Sequence, residues 1–161
     1  MKTINLTKLC ILFFSVTLFS ACGGVSYNTD YLPPTSDSDV NDIFPEKISG
    51  LEREVAVMSN ITEENFKGVK AVYGSGEIAI EVVRIVDDGV QEDYLEKYLY
   101  PQIDALSSHS RANINGKWKG SGHDSDYELY AWQSEDWIFM IKAKKELFKD
   151  VLENFDYISE Y

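Results

Sequence analysis

The sequence predicts an α+β domain with a single antiparallel sheet of five to seven strands and two helices packed on it. Three observations support this fold class. Apolar residues recur at every second position in several short segments, which is typical of half-buried strands. Two other segments carry apolar residues at helical spacing, and the tight-turn dipeptide Asn115-Gly116 indicates a hairpin.

The first hairpin is predicted from alternation. Apolar residues occupy alternate positions over 69–73 and again over 78–82, on either side of a Gly-Ser-Gly turn. Because successive side chains of a strand point to opposite faces, Glu77 and Glu81 are assigned to the solvated face of this hairpin. That assignment leaves no reason to pair these carboxylates for glycoside chemistry.

Helices are predicted after Asp88 and near the C-terminus. Apolar residues follow Asp88 at helical spacing, and Pro101 should end or kink this helix. A second amphipathic stripe runs over 147–155. The order strand, strand, helix therefore occurs twice, over 69–106 and over 127–155, which suggests an internal repeat without establishing it.

The N-terminus has the layout of an export signal. Lys2 and Lys8 form a cationic head, residues 9–19 are uncharged and mostly apolar, and Ser20-Ala21 supplies the small residues of a cleavage site. A bilayer-spanning helix needs roughly 20 residues, so this apolar segment is too short for a typical span. The segment is therefore interpreted as a secretory signal peptide.

Cys22, directly after these small residues, resembles the lipobox cysteine of bacterial lipoproteins, with Phe19 where Leu is usual. This resemblance implies cleavage before Cys22, a diacylglyceryl group on its sulfur and acylation of its new amino group. Gly23, in place of the aspartate that retains many lipoproteins at the inner membrane, implies sorting to the outer membrane. Three alternatives stay open: a soluble secreted protein, an uncleaved membrane helix, and a cytoplasmic protein with an apolar N-terminus.

The predicted organisation has three parts. Residues 1–21 are the cleaved signal peptide, and residues 44–161 form the globular domain. Between them, residues 22–43 carry the lipid and then a segment rich in Gly, Pro, Ser and Asp without apolar periodicity, which is typical of a flexible linker.

Charge and cysteine content restrict the classes of function. Removal of the two lysines of the leader leaves 13 basic and 27 acidic residues, a net charge of −14. Nucleic-acid binding is excluded on this basis, because phosphate backbones are bound by clustered Lys and Arg. Cys10 leaves with the leader and Cys22 would carry lipid, so the domain has no thiol for a disulfide, a metal or a nucleophile. No cofactor is expected.

The chain's two histidines, His109 and His123, lie in polar, turn-rich segments. A hydrolase would need one of them beside a serine and an acid, and no Gly-x-Ser-x-Gly elbow is present. His123 with Asp124 and Asp126 could ligate a metal, but a tight site needs three or four convergent ligands. Solvated loop histidines are the preferred interpretation, with no catalytic or metal-ligating residue assigned.

Three aromatic residues are candidates for a binding face. Tyr130 and Trp132 should point away from the face that Leu129 occupies, and Trp118 lies on a nearby predicted strand. If that face is uncovered, the three rings form a patch suited to a sugar or a protein partner. The alternative, which the need to pack two helices favours, is that the rings belong to the core.

The pattern of a helix, three strands and a final helix over the last hundred residues resembles the PsbP/Mog1-type α+β fold, which occurs among small envelope lipoproteins. Together with the lipobox, this predicts a non-enzymatic, lipid-anchored envelope protein that binds a partner or ligand near the membrane. Two alternatives remain: an immunity or inhibitor protein whose acidic surface steers it to a basic toxin or enzyme, and a small hydrolase or metal enzyme using His109 or His123.

Overall fold

A computed structural model of the chain describes five segments, and Cys22 and the predicted signal peptide lie outside them. Among the described residues, no helix is long and apolar enough to span a membrane. The described segments are 26–35, 37–38, 40–57, 66–85 and 87–161.

Eight strands and several helical segments make up these residues. The strands are β1 (Lys47–Ile48), β2 (Leu51–Val57), β3 (Phe66–Tyr73), β4 (Ile78–Ile85), β5 (Ser108–Ile114), β6 (Lys117–His123), β7 (Tyr127–Ser134) and β8 (Trp137–Lys144). The helical segments are α1 (Val40–Ile43), a 3₁₀ turn (Gly74–Gly76), α2 (Asp88–Tyr94), a π-helical turn (Leu95–Leu99), α3 (Tyr100–Asp104) and α4 (Lys145–Asn154).

The predicted count of five to seven strands is wrong, because the sheet has eight, in the order β1-β2-β3-β4-β8-β7-β6-β5. The missed strand is β1, whose two residues are too few to show any periodicity. The predicted unit of two strands and a helix is also too small. Four strands precede the helical segment 88–104, and four more precede α4.

All neighbouring strands are antiparallel, and the two groups of four meet where β4 pairs with β8. These central strands are buried on both faces, as expected for a sheet with helices packed on both of its faces. The helical segment 88–104 packs on one face of the sheet and α4 packs on the other. The core therefore consists of two layers of side chains separated by the sheet.

Pro101 changes the helix without ending it. The chain leaves α2 through the π-helical turn, in which the Tyr100 N–H reaches back to the Leu95 carbonyl, and continues into α3 with Pro101 near its start. Proline is tolerated in the first turn of a helix because its missing N–H needs no partner there. The apolar side chains of Leu99 and Ile103 consequently both stay on the core.

Glycines on β6 allow the helical segment to approach this strand closely. A Cβ atom on Gly120 would lie 2.8 Å from both Ile103 Cδ1 and Trp118 Cη2. A Cβ atom on Gly122 would lie 2.7 Å from Leu106 Cδ1. A larger residue at either position would have to displace these packed side chains.

Gly120→Val is therefore expected to lower the free energy of unfolding by about 1–3 kcal/mol through overpacking. Urea denaturation followed by tryptophan fluorescence measures the change. Ser121→Val is the matched control, because Ser121 is adjacent on the same strand, points to the opposite face and is half-buried. Equal losses for the two variants would contradict the packing argument.

Part of the segment predicted as a flexible linker lies on the sheet. Asn28 forms an antiparallel bridge with Ser159 near the C-terminus. The Tyr27 ring is 8% exposed, with its centroid 4.9 Å from that of Tyr130, and its hydroxyl donates a 2.7 Å hydrogen bond to Glu128. Burial, and then the Glu128 carboxylate, raise the pKa of Tyr27 well above its usual range. From Ser26 onward the described part of residues 22–43 therefore contributes to the domain.

Candidate functional site

The structure does not bring the three predicted aromatic residues together as an exposed face. Trp118, Tyr130 and Trp132 are 5%, 3% and 1% exposed, respectively. Lys119 is the register partner of Trp132, so Trp118 must point to the opposite face of the sheet. Trp118 accordingly packs under the helical segment 88–104, whereas Tyr130 and Trp132 belong to the α4 side of the core.

The two histidines are also kept apart. The Nδ1 atom of His109 is 3.0 Å from the Leu106 carbonyl oxygen, and its Nε2 is 3.7 Å from Asp104. His109 pairs with Gly122 and Ser108 pairs with His123, so the two imidazoles point to opposite faces of the sheet. Within the described residues, no group of three or more His, Cys, Asp or Glu side chains could hold a metal ion.

The most accessible regular element is β5. It forms one end of the sheet, and all seven of its residues are exposed. No other strand of the described segments pairs with its outer side. We refer to the hairpin of β5 and β6, residues 108–123, as the edge hairpin. An exposed outer strand of this length is a template to which another extended chain can add.

The charge of the edge hairpin is opposite to that of the protein as a whole. The stretch 105–123 contains no Asp or Glu and is the longest acid-free stretch after Asp30, in a chain with a net charge of −12. The edge hairpin carries Arg111, Lys117 and Lys119 together with both histidines. The edge hairpin itself therefore carries only basic charges, and two of them have acidic neighbours, Asp104 beside Arg111 and Asp30 beside Lys117.

The turn of the edge hairpin determines which backbone groups are free. Asn115 and Gly116 have φ angles of 54° and 79°, the left-handed pair that a two-residue type I′ turn requires. Ile114 and Lys117 flank this turn and are register partners, so they form a hydrogen-bonded pair. Pairs alternate along an antiparallel ladder, so the N–H and C=O groups of three β5 residues point outward. These residues are His109, Arg111 and Asn113.

Arg111 is held in place at this edge. Its guanidinium carbon lies 4.1 Å above the centre of the Tyr100 ring, and its Nη2 is 3.6 Å from Asp104 Oδ2. Cation–π contact and a loose ion pair thus fix the side chain against α3 while about a third of it stays exposed. The positive charge remains available beside the outward backbone groups.

Small polar residues and lysines occupy the other face of the edge hairpin. The Ser110 and Ser121 hydroxyls are 3.0 Å apart across the two strands. Lys117 is exposed and lies 3.5 Å from Asp30, in the segment that leads away from Tyr27, and Lys119 is half-buried. The two faces of the edge hairpin therefore both carry positive charge, with Arg111 on one and the lysines on the other.

Glu81 is buried, so the prediction that it lies on a solvated face of the sheet is wrong. It is 1% exposed, and its Oε1 accepts a 2.8 Å hydrogen bond from the Lys70 ammonium group across the β3–β4 pair. Its Oε2 has no hydrogen-bond partner among the described residues. Burial, followed by the Glu81 charge, raises the pKa of Tyr94 and of Tyr98 on the helical segment above it. Glu77, by contrast, is half-buried and paired with Lys144.

The physical reason for this difference is the helical segment 88–104, which covers the face to which Glu81 points. The sequence contains a signal for this cover, since Val83 and Ile85 share the face of Glu81 and are buried with it. The edge hairpin also has a signal in the sequence, because a long acid-free stretch is unusual in a chain with 27 acidic residues.

Comparisons with known proteins add little to this description. No protein-family model matches the chain, and no curated protein is significantly similar to it. One solved structure is similar at 15% identity and a TM-score of 0.40, over 63% of this chain and 72% of the other. It is described as a GTP binding regulator from Thermotoga maritima.

Proposed function

We propose that this chain is a lipid-anchored protein of the bacterial envelope whose domain is a non-enzymatic binding module, with the free edge of β5 as its contact surface. The observation that carries the proposal is the edge hairpin. A seven-residue strand is exposed along its whole length, and neither strand of the hairpin to which it belongs carries an acidic side chain, although the protein is acidic.

The anchor rests on the N-terminal sequence. The lipobox-type order ending at Cys22 supports lipidation there, and Gly23 supports transport to the outer membrane. A single acyl chain gives only marginal membrane binding, whereas two or three chains on one cysteine make the attachment stable. No second membrane-binding element is then required.

The binding role rests on the geometry of the sheet. The sequence-predicted aromatic patch is buried, so the contact surface must be sought elsewhere. Soluble proteins commonly protect an outer strand by making it short, by covering it, or by placing lysine or proline on it. The other end of the sheet is β1, with only two residues, whereas β5 has seven, contains neither Lys nor Pro, and has one Arg, Arg111, whose side chain is held against α3.

Labelling with radioactive palmitate tests the anchor. The wild-type protein is expected to incorporate label and to sediment with membranes, and Cys22→Ala is expected to lose the label. Cys10→Ala is the matched control, because Cys10 lies within the predicted leader and is removed with it. Label that persists in Cys22→Ala, or that is absent from the wild type, would refute the lipid anchor.

A further inference from the structure

We infer that the edge of β5 binds an extended, acidic polypeptide segment, which adds to the sheet as a ninth strand. This inference rests on the proposed function and names the chemistry of the partner. The partner is recognised by its extended backbone and its negative side chains.

The backbone provides the first part of the argument. His109, Arg111 and Asn113 present their N–H and C=O groups outward at alternate positions, as an antiparallel or parallel partner strand requires. The two-residue turn and the pairing of all seven β5 residues with β6 hold this edge in an extended conformation before any partner arrives. An ordered edge reduces the entropy lost on binding.

Charge provides the second part. Arg111 lies on β5 itself, next to the position that a ninth strand would occupy. Lys117 and Lys119 lie one strand further in, which places them about 10 Å from such a strand at the usual spacing of strands. Asp104 and Asp30 each offset one of these three charges, so the hairpin and its acidic neighbours keep a net positive charge. That charge attracts an acidic segment and repels a basic one, and the attraction should fall with added salt.

A second copy of this chain fits the edge poorly. Antiparallel pairing of two β5 strands about their central residue would place Arg111 directly opposite Arg111. Like charges directly opposite each other destabilise a strand pair. Each copy would in addition bring the net negative charge of its whole domain to the interface.

An anionic membrane surface also fits less well than a peptide. Arg111 points to the face covered by α3, whereas Lys117 and Lys119 point to the other face. A flat array of headgroups can contact one face of a sheet, but a strand added at the edge has side chains on both faces. An added strand also forms hydrogen bonds with the outward N–H and C=O groups of β5 one after another. Headgroups that contact one face of the sheet cannot do so.

The test uses the full lipidated chain in detergent micelles and a capped, fluorescently labelled octapeptide of alternating Glu and Val as the probe. Fluorescence anisotropy measures the Kd, and hydrogen exchange reports on the β5 amides. The acidic peptide is expected to bind, and to slow exchange at His109, Arg111 and Asn113. A peptide of alternating Lys and Val is expected to bind at least tenfold more weakly. Equal binding of both peptides would overturn the charge argument.

Two changes separate strand addition from simple charge attraction. Asn113→Pro removes one outward N–H while leaving the inward ladder to β6 intact, so binding should weaken about fivefold, the equivalent of one net hydrogen bond. An acidic peptide with N-methyl groups on every backbone amide keeps its charge and loses the donors on both edges, and it should bind at least fivefold more weakly. Undiminished binding of the methylated peptide would refute strand addition, even if Asn113→Pro fails to fold.

A charge control uses two lysines of similar exposure. Lys117→Gln is expected to weaken binding about twofold to fivefold and to reduce its salt dependence, because it lies on the edge hairpin. Lys149→Gln should leave the Kd unchanged, since Lys149 lies on α4 and is also exposed. Equal effects of both substitutions would show that only net charge matters, and would overturn the site.

The same exchange measurement in vesicles separates the two macromolecular partners. If vesicles containing one third phosphatidylglycerol protect the edge hairpin in the absence of peptide, the hairpin contacts headgroups and the inference is wrong. Failure of the peptide to bind while palmitate still labels Cys22 would overturn this inference and leave the anchor standing. Peptide binding without palmitate labelling of Cys22 would overturn the anchor and leave this inference standing.

Discussion

Trp132→Ala is expected to destabilise the domain by about 3–5 kcal/mol, the usual cost of removing a large buried aromatic side chain. The indole ring is 1% exposed and stacks on Phe139 with centroids 4.9 Å apart and planes 6° apart. Tyr130 adjoins it at 6.0 Å between ring centroids. Small domains are stable by roughly 5–15 kcal/mol, so this variant should lose a large share of its stability. Urea denaturation measured by circular dichroism gives the difference.

The same substitution at an exposed aromatic residue provides the control. Tyr161 is 86% exposed, and Tyr161→Ala should change the free energy of unfolding by no more than about 0.5 kcal/mol. If Trp132→Ala were as mild as Tyr161→Ala, the indole would have to lie outside the core. That outcome would restore Tyr130 and Trp132 as candidates for a binding face, without Trp118, which points to the opposite face of the sheet.

Lys70→Ala is expected to have the second large effect, because it leaves the carboxylate of Glu81 buried without its partner. Removing one member of a fully buried ion pair costs about 3–5 kcal/mol. Lys70 is 36% exposed, so water can replace part of its contribution, and a loss of about 2–3 kcal/mol is expected. Thermal and urea denaturation at neutral pH measure it.

The double variant Lys70→Met with Glu81→Met gives a sharper result. Replacing both partners by apolar residues of similar size removes the unsatisfied Oε2 atom together with the charge, so stability should recover to the wild-type value or exceed it. Lys144→Ala is the matched single control, since its partner Glu77 is about one third exposed and the expected loss is below about 1 kcal/mol. Equal losses in Lys70→Ala and Lys144→Ala would show that Glu81 is accessible to water.

Local patterns predicted most of the individual elements. The alternation over 69–73 and 78–82 corresponds to β3 and β4, and Asn115-Gly116 lies at the turn of the edge hairpin. These features depend on residues close together in the chain, where side-chain period and turn chemistry act directly. The stripe over 147–155 likewise corresponds to α4 and the residue after it.

Alternation of apolar residues within one strand does not by itself predict which side of that strand becomes covered. Burial of Glu81 depends on α2 and the π-helical turn packing across β4, and the separation of Trp118 from Trp132 depends on strand register. Both depend on contacts between residues that are far apart in the chain, and the alternation of side chains within one strand does not determine them. The free edge of β5 depends on the position of this strand in the completed sheet, so it also required the topology.

The attachment of Tyr27 to the sheet limits how far the domain could rise from a membrane. Four residues separate Cys22 from Tyr27, and a fully extended chain covers at most about 3.3–3.6 Å per residue, or about 18 Å over this interval. The predicted flexible segment of more than twenty residues would have allowed a much wider range. For a chain anchored at Cys22, Tyr27 is then held within about 18 Å of the lipid-bearing residue. Partners would therefore meet the domain near the membrane surface.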